Sequence, residues 1–403
     1  MKPLLTLQHG TAGHRLYQLC GWAPFLALVA VLPYMLKEFQ VGRLNRAILV
    51  AVAVLGVNLV IGYGGLLALG HSAFMGVGGF LAATLIGDEN WDFWLVFPVV
   101  FVVGFVLGMI LGLPALRIRG LYLALVTIAF AAVFPQLTKI DGLSVGGRTI
   151  IDRTGGANGR RIEEIVEAPD FLPDSIFGGP LEGYIYRYWV IVAIAAFCFW
   201  GVRNLLRSRP GRAIIAIRDN EIGAAVSGVN LPLYKTLTFG LSSALAAVGG
   251  VMLAFDKGFV AEQDFTFDLA VQLLVALVVG GLATLWGPIV GGLVVVFVRE
   301  ATKDWPDKYL GFLDLPNPQP LSLAFFGAIL ILVTFFAPGG IVGAVRKLRG
   351  RFVRVEPPPP PPGVRVAEPT PEEAAELAAA ERAAAEAGAG GITEAGREST
   401  QIH

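Results

Sequence analysis

Charge is scarce in this chain. Asp, Glu, Lys and Arg make up 15% of its 403 residues, against about a quarter in a soluble domain. Hydrophobic residues reach 55% and the mean hydropathy is +0.66, which excludes a soluble or secreted enzyme and indicates a membrane protein. Uncharged apolar runs recur from Trp22 to Val345, too far along the chain to be a leader peptide. The formal net charge is +0, so bulk charge implies no nucleic-acid partner. The two cysteines, Cys20 and Cys198, lie in or beside apolar segments without CxxC spacing, which excludes a disulfide framework. Of the four histidines, His9 and His14 fall in the N-terminal tail and His403 ends the chain, leaving His71 without a second imidazole for a metal site. No metal and no cofactor are expected. A GxxxxGK[ST] loop is also missing, so this chain does not hydrolyse ATP by that route. The apolar runs almost lack the intramembrane Asp, Glu, Lys or Arg that ion-coupled carriers need, and the acidic rings common in cation channels. Uphill transport would therefore draw its energy from another subunit.

What is present is a series of apolar segments near the 20-residue length of a membrane span, at 20–36, 46–62, 65–86, 93–113, 120–137, 188–203, 234–255 and 321–341. Basic short loops mark the cytoplasmic side: Arg117 and Arg119, then Arg203, Arg207, Arg209, Arg212 and Arg218, and finally Arg346, Lys347, Arg349, Arg351 and Arg354. A long stretch, 269–299, must contribute two crossings if both the 203–218 loop and the C-terminus are cytoplasmic. Gly280, Gly281, Gly287 and Pro288 interrupt helix there, so two short half-helices are predicted, about 269–280 and 284–299. The expected fold is an all-α polytopic bundle of about ten membrane segments, with both termini cytoplasmic and the chain in the plasma or inner membrane. Lys37, Arg43 and Arg46 are left outside, against the charge rule.

The expected organisation is a cytoplasmic tail at 1–19, a membrane domain at 20–345 and a second cytoplasmic tail at 346–403. Within the membrane domain, 138–187 is an external loop and 204–233 a cytoplasmic one. The C-terminal tail opens with the polyproline spacer "EPPPPPPG" and continues in Ala and Glu with few large apolar residues, a composition of disorder or weak helix. Small residues recur at helix-packing spacing: Gly104, Gly108 and Gly112, then Gly287 and Gly291, and a seam of Ala68, Ser72, Gly76, Gly79, Ala83 and Gly87. Lipid supplies no hydrophobic drive between helices, so close approach through small residues takes its place. His71 flanks that seam, where an imidazole can bond to a closely packed neighbour or line a path.

The cytoplasmic segment "RSRPGRAIIAIRDNEIGAAVSGVNLPLYK", Arg207 to Lys235, is basic at its start, breaks at Pro210 and Gly211, and then reads as a short amphipathic helix ending near Gly228. A positive loop lying along the membrane would read the same way; the functional alternative is a helix docking in a partner's groove. "RDNEIGAAVSGVNLPLYK" resembles the cytoplasmic EAA-type loop of ABC importer permeases, with Glu221, Ala224, Ala225, Gly228, Leu231 and Pro232. Its spacing departs from the commonest pattern and is similar to the form in branched-chain amino acid permeases. "GYGGLLALGHSAF", "LRIRGLYLALVTIAF", "TGGANG", "VVGGLATLWGPIVGG" and "FFAPGGIVG" resemble the same subfamily, in order, over roughly residues 46–345.

That resemblance implies a permease subunit, not an enzyme, paired with a homologous second permease. It also implies two ATP-binding subunits and an extracytoplasmic binding protein that delivers substrate. It assigns Arg218, Glu221, Ala224, Ala225, Gly228 and Pro232 to the ATPase-docking loop. Broken helices expose backbone groups suited to an amino acid's two charged ends. The candidate translocation residues are accordingly Gly62, Gly65, His71 and Ser72 near one glycine-rich entry, and Gly280, Gly281, Thr284 and Gly287 at the break. Permeases for urea or short amides share this sequence character and remain an alternative, as does a channel or facilitator working without ATP.

Overall fold

The computed structural model describes residues 5–8, 27, 29–87, 89, 91–113, 121–138, 144–145, 148–149, 160–161, 175–176, 179–180, 183–303, 327–328, 331–332, 335–337 and 339–356. Among these, four helices are long and apolar enough to cross a membrane: Glu38–Tyr63, Phe93–Gly112, Gly183–Arg207 and Leu231–Lys257. Shorter apolar helices cover His71–Gly87, Tyr122–Leu137 and Phe267–Gly280. Of the expected spans, 20–36 is described at 27 and 29–36, and 321–341 at 327–328, 331–332, 335–337 and 339–341; most of the 138–187 loop and the tail beyond Glu356 lie outside the described residues. The chain divides into two units, one of Met1–Leu4 with Gln18–Val353 and one of Leu5–Tyr17 with Arg354–His403. In the second, the described part includes strand Leu5–Gln8. The membrane helices belong to the first.

In chain order the helices of that first unit are α1 (Glu38–Val57), continued by a π-helical turn at Asn58–Tyr63, then α2 (His71–Gly87), α3 (Phe93–Gly112) and α4 (Leu121–Leu137). After them come α5 (Gly183–Arg207), α6 (Arg209–Asp219), α7 (Glu221–Val226) and α8 (Leu231–Lys257). The series ends with α9 (Phe267–Gly280), α10 (Gly287–Lys303) and α11 (Gly340–Phe352).

Helix α8 is the centre of the bundle, packed against α3, α2 and α1. Its sequence explains why. The run Phe239 to Phe255 contains Gly240, Ser242, Ser243, Ala244, Ala246, Ala247, Gly249 and Gly250, so small residues face outward on several sides at once, and neighbours approach on each. On one side, Gly104, Gly108 and Gly112 of α3 lie against Ala247, Ser243 and Phe239; a Cβ added to Gly108 would meet the Ser243 Cβ at 2.5 Å. On another, Gly78 of α2 abuts the Ala247 carbonyl, and Gly250 of α8 abuts that of Met75. On a third, Gly56 of α1 meets the Ser242 carbonyl at 2.5 Å for an added Cβ. The buried side of α3 follows the same four-residue step, with Val96 and Val100 preceding the three glycines, while Leu95, Val102, Val106 and Ile110 are exposed. The seam expected from Ala68 is shorter in fact. Helix α2 begins at His71 and Ala68 lies in the irregular stretch 65–70, because Gly65 takes a left-handed φ of +66° and ends the preceding turn.

The stretch 269–299 divides as the glycines suggest, with α9 and α10 separated by residues 281–286. The second half-helix starts at Gly287, later than the expected 284, so Thr284 belongs to the break. The pair is a tight antiparallel hairpin: Gly291 abuts the Ala276 carbonyl and Gly280 that of Gly287, while Arg299 Nη1 reaches Asp268 Oδ2 at 3.4 Å at the far end. That far end also explains Arg43, which stands against the charge rule. Its guanidinium pairs with Glu300 at 3.3 Å and covers the Phe39 ring at 4.3 Å, so it does not act as a free positive charge. Nearby, Asn45 Nδ2 donates to Asp256 Oδ1 at 2.7 Å. Part of the long loop is fastened at this end, since Arg160 and Arg161 pair antiparallel with Val260 and Phe259.

Candidate functional site

The loop between α5 and α8 is built as two helices rather than the single one expected. Ser208 precedes α6 and Pro210 occupies its first turn, where a missing N–H costs nothing, so Pro210 starts the helix instead of breaking it. The break comes at Asn220, which turns extended and caps α7 by accepting from Gly223 N–H at 2.8 Å. Helix α7 ends at Val226, and Gly228 follows with a left-handed φ of +83° and open space where a Cβ would project. Asn230 then caps α8, accepting from Leu233 N–H at 3.2 Å, and Pro232 lies in its first turn. Pro232 thus opens the next helix as well as stopping the last.

One side of α7 is fastened and the other is bare. Glu221 Oε1 accepts from Lys235 Nζ at 2.6 Å, which ties the short helix to α8, and Ala224 is buried. Outward, Ile222 and Val226 are 78% and 85% exposed beside exposed Ala225. An apolar pair one turn apart on a polar-tethered helix is shaped to enter a groove.

Arg218 connects this loop to the membrane helices. Its Nε and Nη2 bond to Asp219 Oδ1 at 2.9 and 2.7 Å, which orients the fork, and its Nη1 donates to the Gly62 carbonyl at 3.0 Å. Gly62 closes a π-helical turn in which Gly64 N–H reaches back five residues to the Leu59 carbonyl at 2.9 Å. Carbonyls at such a terminus lack helical partners, and a cation there is favourable. Gly65, whose backbone lies under the Arg218 side chain, leaves room for it: an added Cβ would stand 2.8 Å from Arg218 Cγ.

The same turn grips the broken hairpin. Asn58, fully buried, accepts from Ala283 N–H at 2.9 Å and donates to the Thr284 carbonyl at 2.8 Å. Its one carboxamide satisfies both a donor and an acceptor that the helix break leaves without helical partners. Gly62 must be small here, because a Cβ would overlap Asn58 Oδ1 and stand 2.7 Å from Ala283 N. Thr284 completes the break, its hydroxyl donating to the Gly281 carbonyl at 2.8 Å and accepting from Gly287 N–H at 3.0 Å. Gly281 has a φ of +122°, and Ala283 a φ of +53° that is uncommon for a residue with a Cβ. The start of α11 seals the far side, with Gly340 close against Gly281.

The path residues selected from the sequence therefore fall into two groups. Gly62, Gly65, Gly280, Gly281, Thr284 and Gly287 gather around the π-turn and the break. His71 and Ser72 stand apart on the first turn of α2, where His71 Nε2 lies 2.7 Å from Ser242 Oγ, which donates to the Gly56 carbonyl at 2.5 Å. One histidine thus joins α2 to α8 and, through Ser242, to α1. His71 Nδ1 and the Ser72 hydroxyl are buried without a hydrogen-bond partner among the described residues. Sequence reasoning missed Asn58, Ser242 and Lys235. Asn58 carried a usable signal, as the one carboxamide within an otherwise apolar run from Ala47 to Leu67.

Four helices long and apolar enough to cross a membrane, packed about a central one, make this a polytopic membrane bundle. Residues 40–334 match the family described as branched-chain amino acid transport system / permease component, and the chain belongs to that family. It is similar to the high-affinity branched-chain amino acid transport system permease protein LivM of Escherichia coli strain K12, with 26% identity over 338 residues, 80% of this chain and 74% of the relative. The protein of the same name in Salmonella typhimurium strain LT2 gives the same identity and coverage. BraD of Pseudomonas aeruginosa, also named a branched-chain amino acid permease protein, is 30% identical over 180 residues, 43% of this chain and 55% of the relative. No solved structure matches the chain.

Proposed function

We propose that this chain forms half of the translocation path of an ATP-driven importer for branched-chain amino acids. A homologous permease supplies the other half, two ATP-binding subunits dock on the loop helices, and an extracytoplasmic protein delivers substrate. The observation that carries the reading is the exposed apolar pair Ile222 and Val226 on α7, tethered by Lys235 at one end of the central helix. A bare apolar turn fixed to the bundle core transmits a push from a partner; a loop lying passively along lipid has no need of a buried lysine tether. Arg218, Glu221, Ala224, Ala225, Gly228 and Pro232 form or frame that docking surface. Gly62, Gly65 and Gly280 to Gly287 stand where irregular backbone meets the bundle interior, as expected of a path for a zwitterion. Both termini are assigned to the cytoplasm, the side of the loop helices.

Reconstitution tests this directly. Proteoliposomes holding this chain with the partner permease and both ATPases should import leucine only with ATP and the loaded binding protein. Flux through this chain alone, without ATP, would replace the importer with a channel.

A further inference from the structure

We propose that the π-turn Asn58–Tyr63 is the element that ties the docking helices to the broken hairpin, with Asn58 as its positioning residue. The inference rests on the importer reading for its purpose, but its geometry stands alone. Two attachments converge on six residues. At the C-terminal end, the Gly62 carbonyl is held by Arg218, the last basic residue before α7. At the N-terminal end, the Asn58 carboxamide holds both Ala283 and Thr284. A displacement of α6 and α7 therefore pulls on Gly62, and the turn passes it to the residues separating α9 from α10.

A π-turn suits this task because it is a local excess of one residue in an α-helical ladder, a rare feature that is frequent at functional sites. Relaxation to α geometry would rotate the residues beyond it by about 100°. Asn58 and Gly62 could not both keep their present partners through that rotation. The turn thus has two arrangements, and each attachment biases the choice between them. Gly62 fits the scheme, since any side chain there would wedge between Asn58 and Ala283. The hairpin side is equally poised. Ala283 has a left-handed φ and the break is short, so its backbone depends on Asn58 rather than on helix bonds of its own.

Hydrogen exchange in the assembled transporter tests this, using Arg218→Gln, a change at a partly exposed side chain. Amides in 281–286 should exchange at least tenfold faster in the variant, while those of 243–252 in the core of α8 keep their wild-type rates. A merely local role for Arg218 would leave the break unaffected, because the guanidinium bonds to Asp219 and Gly62 and to no residue of 281–286. Unchanged exchange at 281–286 overturns the proposal whether or not leucine is the substrate. With leucine as the transported probe, Arg218→Gln and Asn58→Leu should each raise the ATP hydrolysed per leucine imported at least tenfold. The double variant should be no worse than the worse single one. Multiplying losses would mean two independent routes and would also overturn it. Should Asn58→Leu not assemble, Arg218→Gln decides alone. Absence of any leucine uptake by the wild-type complex counts against the importer reading only, leaving the exchange result to judge the turn.

Discussion

Asn58 and Ala283 stand 225 positions apart in the chain, yet a carboxamide oxygen of one accepts the backbone N–H of the other at 2.9 Å. The bond matters because of where it is made. A helix break within an apolar interior exposes peptide groups that neither lipid nor side-chain hydrocarbon can satisfy. Asn58 supplies both complementary groups in one planar unit, from a side chain that is itself fully buried.

Replacing that carboxamide removes two partners at once. Asn58→Leu preserves volume and takes the side-chain partner from the partly buried Ala283 N–H and Thr284 carbonyl, at up to about 1–3 kcal/mol each. Thermal unfolding of the purified transporter should show a clear loss of stability, and Asn58→Asp, which keeps an acceptor for Ala283 but brings a buried charge, should not restore it. Wild-type stability for Asn58→Leu would mean that the break satisfies its peptide groups some other way.

Much of this architecture is legible in the sequence, and the reasons differ by element. The division of 269–299 follows from Gly280, Gly281, Gly287 and Pro288, since backbone chemistry acts locally and shows in sequence. The tight crossings of α3 on α8 follow from Gly104, Gly108 and Gly112 for the same reason. Asn58 escapes because a neutral carboxamide costs less to bury than an ionisable group and gives no charge signal at membrane depth. The partner of His71 is equally hidden, because Ser242 lies 171 positions away and only the packing of α2 against α8 joins them. The separation of α6 from α7 depends on Asn220 turning extended, which no periodicity announces in so short a segment.

His71 gives a second prediction. Its bond to Ser242 links two helices whose packing is otherwise apolar, and such interhelical bonds contribute about 0.5–2 kcal/mol in membranes. His71→Gln offers an amide in place of the imidazole and should assemble with its partners at near wild-type yield. His71→Leu should lower that yield, measured by size-exclusion chromatography of the complex. Full assembly of His71→Leu accompanied by lost transport would move the residue from helix holding to the path.

Replacing a glycine at a helix crossing and replacing one away from any crossing predict opposite outcomes. Gly108→Leu forces a side chain into Ser243 and Gly240 of the central helix. Overpacking costs about 1–3 kcal/mol where neighbours can shift, and more here, since the obstacle includes backbone. Gly201→Ala on α5 meets nothing within 4 Å and should be neutral or stabilising by about 0.5–1 kcal/mol from helix propensity. Comparable melting temperatures for the two variants would contradict the crossing geometry.

Gly228 separates docking from folding most cleanly. It is exposed, lies between α7 and α8, and a Cβ there would project into open space, so Gly228→Asp meets no clash. The left-handed backbone costs a residue with a Cβ about 1 kcal/mol, least for Asn and Asp, too little to prevent insertion. The added carboxylate would instead stand two residues beyond Val226, at the edge of the surface assigned to the ATPase, where an unpaired charge must be desolvated for docking. The expected result is a membrane-inserted permease whose complex hydrolyses ATP with little or no leucine uptake, or fails to retain its ATPase subunits on purification. Wild-type uptake by Gly228→Asp would remove α7 from the contact and place the docking surface elsewhere on the loop.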